Sequence, residues 1–277
     1  LQSIASVLFN QAKKQSGAIS SIQVIKEKTE KKLKKFQNQT EAERNLEVVS
    51  EIRKKNWFER YRWFMTTDGF LTIGGRDAAS NSAVIRKHLD KNDKIFHGDI
   101  FGSPFFILKD AENVPDTTMN EIAHATVCFS RAWREALYGV SAYWVLPEQV
   151  KKSAPSGEFL PKGSFTIEGQ RNFIKSETLK LAVGIIQLED NDHVLTCGPP
   201  EAIKKNSICY AIIEPNGLEM AECAKKIRLE FLKIFEDITR KINIDEFVRA
   251  LPAGKSQIKE ISLGDLEKEK IIDNELD

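Results

Sequence analysis

Trp57-Phe58-Glu59-Arg60-Tyr61-Arg62-Trp63-Phe64-Met65-Thr66-Thr67-Asp68-Gly69-Phe70-Leu71-Thr72-Ile73-Gly74-Gly75-Arg76-Asp77 is the stretch on which the fold turns. Residues 61–66 and 70–73 are rich in aromatic and β-branched side chains, and they flank Asp68-Gly69, a strong hairpin turn signal. Two glycines then break the second strand, and Asp77 suits the N-cap of a helix over residues 78–89.

Outward from this corner, the C-terminal side alternates short strands with separated helices. Strands are expected over residues 94–100, 104–109, 141–146, 164–168, 179–188 and 208–214. Thr118 with Glu121 has the spacing of a capping box, opening a helix that runs to about Tyr138. A further helix spans 219–240, and a short one ends at Pro252. Hairpins mixed with separated helices define an α+β protein, mainly antiparallel sheet with flanking helices. No repeat or regular βαβ alternation is present. Gly74-Gly75 does not extend to GxGxxG and no Walker A stands anywhere, so dinucleotide and P-loop readings fail.

On the N-terminal side, residues 1–56 hold no proline, and Ile22, Ile25, Thr29, Leu33 and Phe36 recur at three- and four-residue steps. One thin apolar stripe on an otherwise polar helix reads as part of a coiled-coil arm. Three segments result: the arm over 1–56, a folded domain over 57–255, and an acidic, frayed tail over 256–277. The chain starts at Leu1 inside the helical pattern, as expected of an excised fragment.

Composition bounds the function. With 41% hydrophobic residues, the 277-residue chain can build a sizeable core, and its formal net charge of +1 confines any nucleic-acid surface to a local patch. Cys128, Cys197, Cys209 and Cys223 form no CxxC pair, which argues against zinc and for a reducing cytoplasm. No apolar run nears the roughly 18 residues of a membrane helix.

Four constellations could carry chemistry. In the first, Gly74 and Gly75 allow close backbone approach, the helix start after Asp77 offers free N–H groups, and Arg76 adds a fork of donors for phosphate. The competing reading is a plain strand-to-helix turn with Arg76 paired to a carboxylate. The second is His97-Gly98-Asp99, whose imidazole and carboxylate share a strand face. They could bind metal or act as base and orienter, or simply brace a turn. The third is the loop holding Lys151, Lys152, Ser153 and Lys162, rich in donors and hinges, which could grip phosphate and sugar. The fourth sets rings and cations together: Trp57, Phe58, Arg60, Tyr61, Arg62, Trp63 and Phe64, with Tyr143, Trp144, Arg171 and Asn172. Single-stranded RNA is held in this way, by stacking beside cations.

Taken together, these motifs resemble the NFACT family. The ordered matches run from the Trp57–Phe64 segment through Ile73-Gly74-Gly75-Arg76-Asp77-Ala78 and His97-Gly98-Asp99-Ile100. They continue through Ser130-Arg131-Ala132-Trp133, Tyr143-Trp144-Val145 and Ser153-Ala154-Pro155-Ser156-Gly157-Glu158 to Arg171-Asn172. This chain departs from the pattern the resemblance implies, with Gly98 where the family usually has Ala, Lys151 where it usually has Ser, and Glu168 where it favours a basic residue.

The resemblance implies a role in ribosome-associated quality control. Its partners would be the rRNA of an obstructed large ribosomal subunit and tRNA, with ribosomal proteins reached through the arm. No catalytic residue, metal or other cofactor is implied, and no membrane. The expected RNA-binding residues are Gly74, Gly75, Arg76, Lys151, Lys152, Ser153, Lys162, Arg171 and Asn172, supported by Asp77, His97, Asp99 and Arg62. Two alternatives stay open: a metal-dependent RNA-processing enzyme built on His97 and Asp99, and a protein-interaction scaffold.

Overall fold

The computed structural model describes residue 23 and residues 26–30, 55–151, 163–188 and 192–268. Lys26 to Glu30 are helical, with Lys26 Nζ 4.0 Å from the Glu30 carboxylate one turn on. The rest of the expected coiled-coil arm lies outside the described residues. From Lys55 onward the described residues belong to one compact unit, and it is α+β.

The opening hairpin forms where its turn chemistry dictates. Strands β1 (Arg62–Met65) and β2 (Leu71–Gly74) pair antiparallel, with Trp63 opposite Ile73. Gly69 takes a φ of +85°, and its N–H closes the turn onto the Thr66 carbonyl at 3.0 Å. That left-handed residue costs a glycine nothing. Helix α1 (Ala78–Lys87) starts as expected, the Asp77 carboxylate accepting the Ser80 N–H at 2.8 Å.

Strands β3 (Lys94–Gly98), β4 (Phe105–Leu108), β5 (Ser141–Val145) and β8 (Asn172–Lys175) complete a six-stranded antiparallel sheet in the order β1-β2-β4-β3-β5-β8. The ribbon β6 (Val150–Lys151) with β7 (Thr166–Ile167) stands apart from it. Helix α1 packs on β2 and β4. Helix α2 (Asp116–Cys128) packs across β3, β4, β5 and β8.

The capping box expected at Thr118 and Glu121 does not form. Helix α2 begins two residues earlier. The Thr117 and Thr118 hydroxyls both donate to Asp68 at 2.7 Å, and Glu121 accepts the Thr67 N–H at 2.9 Å. These side chains pin the hairpin turn instead of the helix end. The helix also stops short of Tyr138. Ser130 takes the Ala132 N–H on its own hydroxyl and starts a separate α3 (Arg131–Glu135).

A second antiparallel sheet follows, ordered β10-β9-β11-β12, from β9 (Leu181–Gln187), β10 (His193–Gly198), β11 (Ser207–Leu218) and β12 (Ser256–Leu263). Helix α4 (Pro200–Asn206) lies on β9 so closely that a Cβ at Gly184 would sit 2.5 Å from the Ile203 side chain. The helix expected over 219–240 breaks at Phe235 into α5 (Met220–Ile234) and α6 (Glu236–Lys241), and α7 (Ile244–Ala250) follows.

Strand β12 corrects the expected tail. Frayed chain was expected from residue 256, but residues 256–263 pair with β11. They form an edge strand whose side chains stay mostly half-exposed, so the segment shows little of the apolar alternation that marks a strand. Residues 269–277 lie outside the described part.

The two sheets share one hydrophobic core. Trp63 and Phe64 of β1 meet the second sheet, and Trp133 Nε1–H donates to the Lys255 carbonyl at 3.2 Å. Two arginines clamp the junction at the end of α7. Arg62 Nη1 donates to the Ala250 and Leu251 carbonyls at 3.3 and 3.2 Å, while its plane lies 4.2 Å from the Phe129 ring. Arg76 donates to three carbonyls, those of Arg60 (3.3 Å), Tyr61 (2.8 Å) and Arg249. The last carbonyls of a helix have no partner within it and form the negative end of its dipole, so cations there do two jobs.

Candidate nucleic-acid interface

Strand register builds a row of rings that no local pattern announces. Phe105 of β4 stands opposite His97 of β3, His97 opposite Tyr143 of β5, and Tyr143 opposite Phe173 of β8. Alternation along a strand puts all four on one face of the sheet. Lys94, Trp144 and Ile174 point the other way, toward α2.

The ring centroids are 4.5 Å apart for His97–Phe105, 5.8 Å for His97–Tyr143 and 5.5 Å for Tyr143–Phe173. Phe105 and Tyr143 form a buried floor, whereas Phe173 is 56% exposed. Phe101, on the β3–β4 loop, is 88% exposed.

Phe105, His97 and Tyr143 line a groove of about 520 Å³, and Phe173 extends the row beyond that lining. One wall is Gly75 to Ala78 with Asn81, at the start of α1. The others are the Phe101–Phe105 loop, Gly163 to Phe165, and Arg171. Arg171 is exposed and lies 4.9 Å over the Tyr143 ring, and among the described residues it makes no ion pair. A cation already stacked on a ring, next to exposed rings, suits a base and its phosphate together.

The residues singled out in the sequence divide. Arg171, His97, Gly75, Arg76 and Asp77 come together at the groove. Asn172 does not; its side chain turns back to donate to the Trp144 carbonyl at 3.4 Å, on the face opposite Arg171. Lys151 is occupied by Glu168, 3.6 Å away. Lys152, Ser153 and Lys162 lie outside the described residues. They belong to the segment that returns at Gly163, whose Cβ position would fall 2.5 Å from the Ala78 carbonyl oxygen.

Three further expectations are corrected. Gly74 and Gly75 do not clear space for a phosphate. A Cβ at Gly74 would meet the Phe106 ring at 2.5 Å, and one at Gly75 the Asn81 side chain at 1.8 Å, so packing fills both places. The Arg76 fork is spent largely on carbonyls, and Arg62 sits at the α7 junction, behind Phe129 and outside the groove lining.

His97 and Asp99 are not a pair. His97 Nδ1 lies 3.4 Å from the Tyr143 hydroxyl, while Asp99 is exposed beyond the strand end. Gly98 admits Ser103, whose hydroxyl accepts the Gly98 N–H at 2.8 Å. Among the described residues no group of three His, Cys, Asp or Glu could hold a metal ion, and no helix is long and apolar enough to cross a membrane.

Burial pushes the His97 imidazole down to about 4, and burial also lowers His124 and His88. These rings stay neutral in the fold while the unfolded chain takes up protons near pH 6.5. A lowered histidine makes the unfolded state the better proton binder, so stability falls as pH drops through that value. The urea midpoint is expected to decline from pH 7 to pH 5.5, with a shallower decline in His97→Gln. A midpoint flat across that range would show these rings to be freely hydrated.

With the geometry in place, comparison with known proteins adds identity by descent. Residues 60–169 match the family described as NFACT protein RNA binding domain. An archaeal Rqc2 homolog, aRqcH, from Methanocaldococcus jannaschii is 36% identical over 216 residues, covering 77% of this chain and 31% of that one. A Drosophila melanogaster ribosome quality control complex subunit NEMF homolog is 31% identical, covering 77% and 21%. The Homo sapiens ribosome quality control complex subunit NEMF is 32% identical over 177 residues, covering 63% and 16%. The chain therefore spans about a third or less of the length of these relatives.

Proposed function

The chain belongs to the NFACT family and carries that family's RNA-binding domain; on that premise we propose that the groove along Phe105, His97, Tyr143 and Phe173 holds single-stranded or looped RNA during ribosome quality control. The relatives' names supply the setting, and the cross-strand row of rings carries the reading of the site. Double-stranded RNA presents stacked bases that such rings cannot reach, whereas loops and ends can splay a base onto them. Phe101 and Phe173 offer exposed faces, and Arg171 adds charge beside them.

The RNA would be rRNA or tRNA of an obstructed large subunit. The groove binds and does not catalyse: His97 is turned to Tyr143, and Asp99 does not orient it. RNA is accordingly expected to stay intact in the presence of Mg²⁺ or Mn²⁺.

A filter-binding titration with a single-stranded oligonucleotide tests the proposal. Each phosphate neutralised contributes a slope of about −0.7 to the plot of log affinity against log salt. Arg171 with the lysines of the 152–162 segment predicts about −2 overall. Affinity indifferent to salt, or a preference for duplex over single strand, would refute it.

A further inference from the structure

Beside the groove, sharing Arg76 and Phe129 with it, lies a smaller cavity of about 40 Å³. By the same measure a single water needs roughly 10–15 Å³, so the space suits one tetrahedral oxyanion. Its charged lining is Lys55, Arg62, Arg76 and Arg249, against Glu59 and Glu246. Four cations face two carboxylates.

The carboxylates do not reach the arginines. Glu246 is taken by Lys55 at 2.8 Å, and Glu59 accepts the Asn56 N–H at 2.7 Å. Among the described residues Arg62, Arg76 and Arg249 have no ion-pair partner. The acceptors found for Arg62 and Arg76 are backbone carbonyls, and for Arg62 both bonds leave from Nη1, so among the described residues Nε and Nη2 have no acceptor.

Arg62 and Arg76 are half-buried, and neighbouring guanidiniums drawn even partly out of water without a counter-charge are costly. The cost shows in their titration. Burial, and then Arg76, pulls Arg62 down to about 9; burial, and then Arg249, pulls Arg76 down to about 10.

We propose that this cavity binds one phosphate group, held by Arg62 and Arg76 from within and by Arg249 from the rim. Guanidiniums match the oxygen spacing of phosphate, and a dianion would relieve the repulsion between them. The site is independent of base stacking in the groove. The group could arrive as free orthophosphate or as the terminal phosphate of a nucleic acid.

The test is a set of thermal melts of the full chain in sodium phosphate and in sodium chloride of equal ionic strength. At 100 mM, phosphate is expected to raise the midpoint about 5 °C above chloride, as for a ligand of low-millimolar affinity. Arg249→Gln should lose at least half of that rise. Arg249 gives the clamp only its carbonyl, so this variant keeps the fold. The variant Phe101→Ala/Phe173→Ala should keep the whole rise, which separates this site from the groove.

Oligonucleotides with and without a 5′-phosphate identify the source. An advantage of the phosphorylated one that vanishes in Arg249→Gln marks a nucleic-acid end, and a response to orthophosphate alone marks the free ion. Equal midpoints in phosphate and chloride, or an undiminished rise in Arg249→Gln, would overturn the proposal.

Discussion

Replacing Phe101 and Phe173 together with alanine is expected to weaken single-stranded RNA binding about 100-fold while leaving the melting temperature almost unchanged. Stacking of a base on an aromatic ring is worth about 1–3 kcal/mol by alanine substitution, and each 1.4 kcal/mol is tenfold in affinity. Two rings at the lower part of that range give the stated loss. Stability should be spared because Phe101 is 88% and Phe173 56% exposed, so neither contributes much to the core. The pair therefore reads binding without reading folding, which Tyr143, buried in the floor, could not do. Fluorescence anisotropy with a labelled oligonucleotide measures the first quantity and a thermal melt the second. If affinity stays within threefold of the parent, the exposed rings are not the platform.

Arg76→Lys is expected to lower the melting temperature by about 5–10 °C and to change affinity for RNA that lacks a terminal phosphate less than threefold. The guanidinium reaches three carbonyls on three different residues, Arg60, Tyr61 and Arg249. A single ammonium can keep one of them in that geometry. Losing two bonds from a charged donor costs about 2–3 kcal/mol. A domain of this size loses about 2–4 °C per kcal/mol. The sequence alone suggests the opposite pattern, since an arginine after two glycines at a helix start looks like a phosphate clamp. A variant that melts like the parent but loses RNA would restore that reading.

What was legible in the sequence follows from what is local. The Asp68-Gly69 hairpin, the Asp77 cap and α1 all rest on residues within four positions of each other, and they form as the sequence indicates. The strand face of His97 was equally legible, but not its neighbours. Phe105, Tyr143 and Phe173 meet it through register set across four strands, and no spacing in the chain encodes that. β8 itself gives too short a signal to stand out, being four residues with one exposed ring. The same limit hid the role of the arginines. Arg62 finds its acceptors 188 and 189 residues later, where the sequence offers only the end of a short helix. Thr118 and Glu121 misled for a related reason. Their spacing satisfies a local motif, yet Asp68 and Thr67, some fifty residues upstream, compete for the same side chains and win.

The clamp at the end of α7 has a consequence for the order in which the protein can be made. A ribosome delivers the first sheet early, but Arg62, Arg76 and Trp133 must wait for carbonyls at residues 249–255. Until those emerge, the β1 side of the sheet stays uncovered, Arg62 lacks its carbonyl acceptors, and Arg76 has only the Arg60 and Tyr61 carbonyls. Contacts this distant in sequence slow folding, because the long loop must close before they form. The nascent RNA-binding segment is thus a half-built intermediate until residue 255 has been made, dependent on whatever shields an unfinished apolar face during that interval.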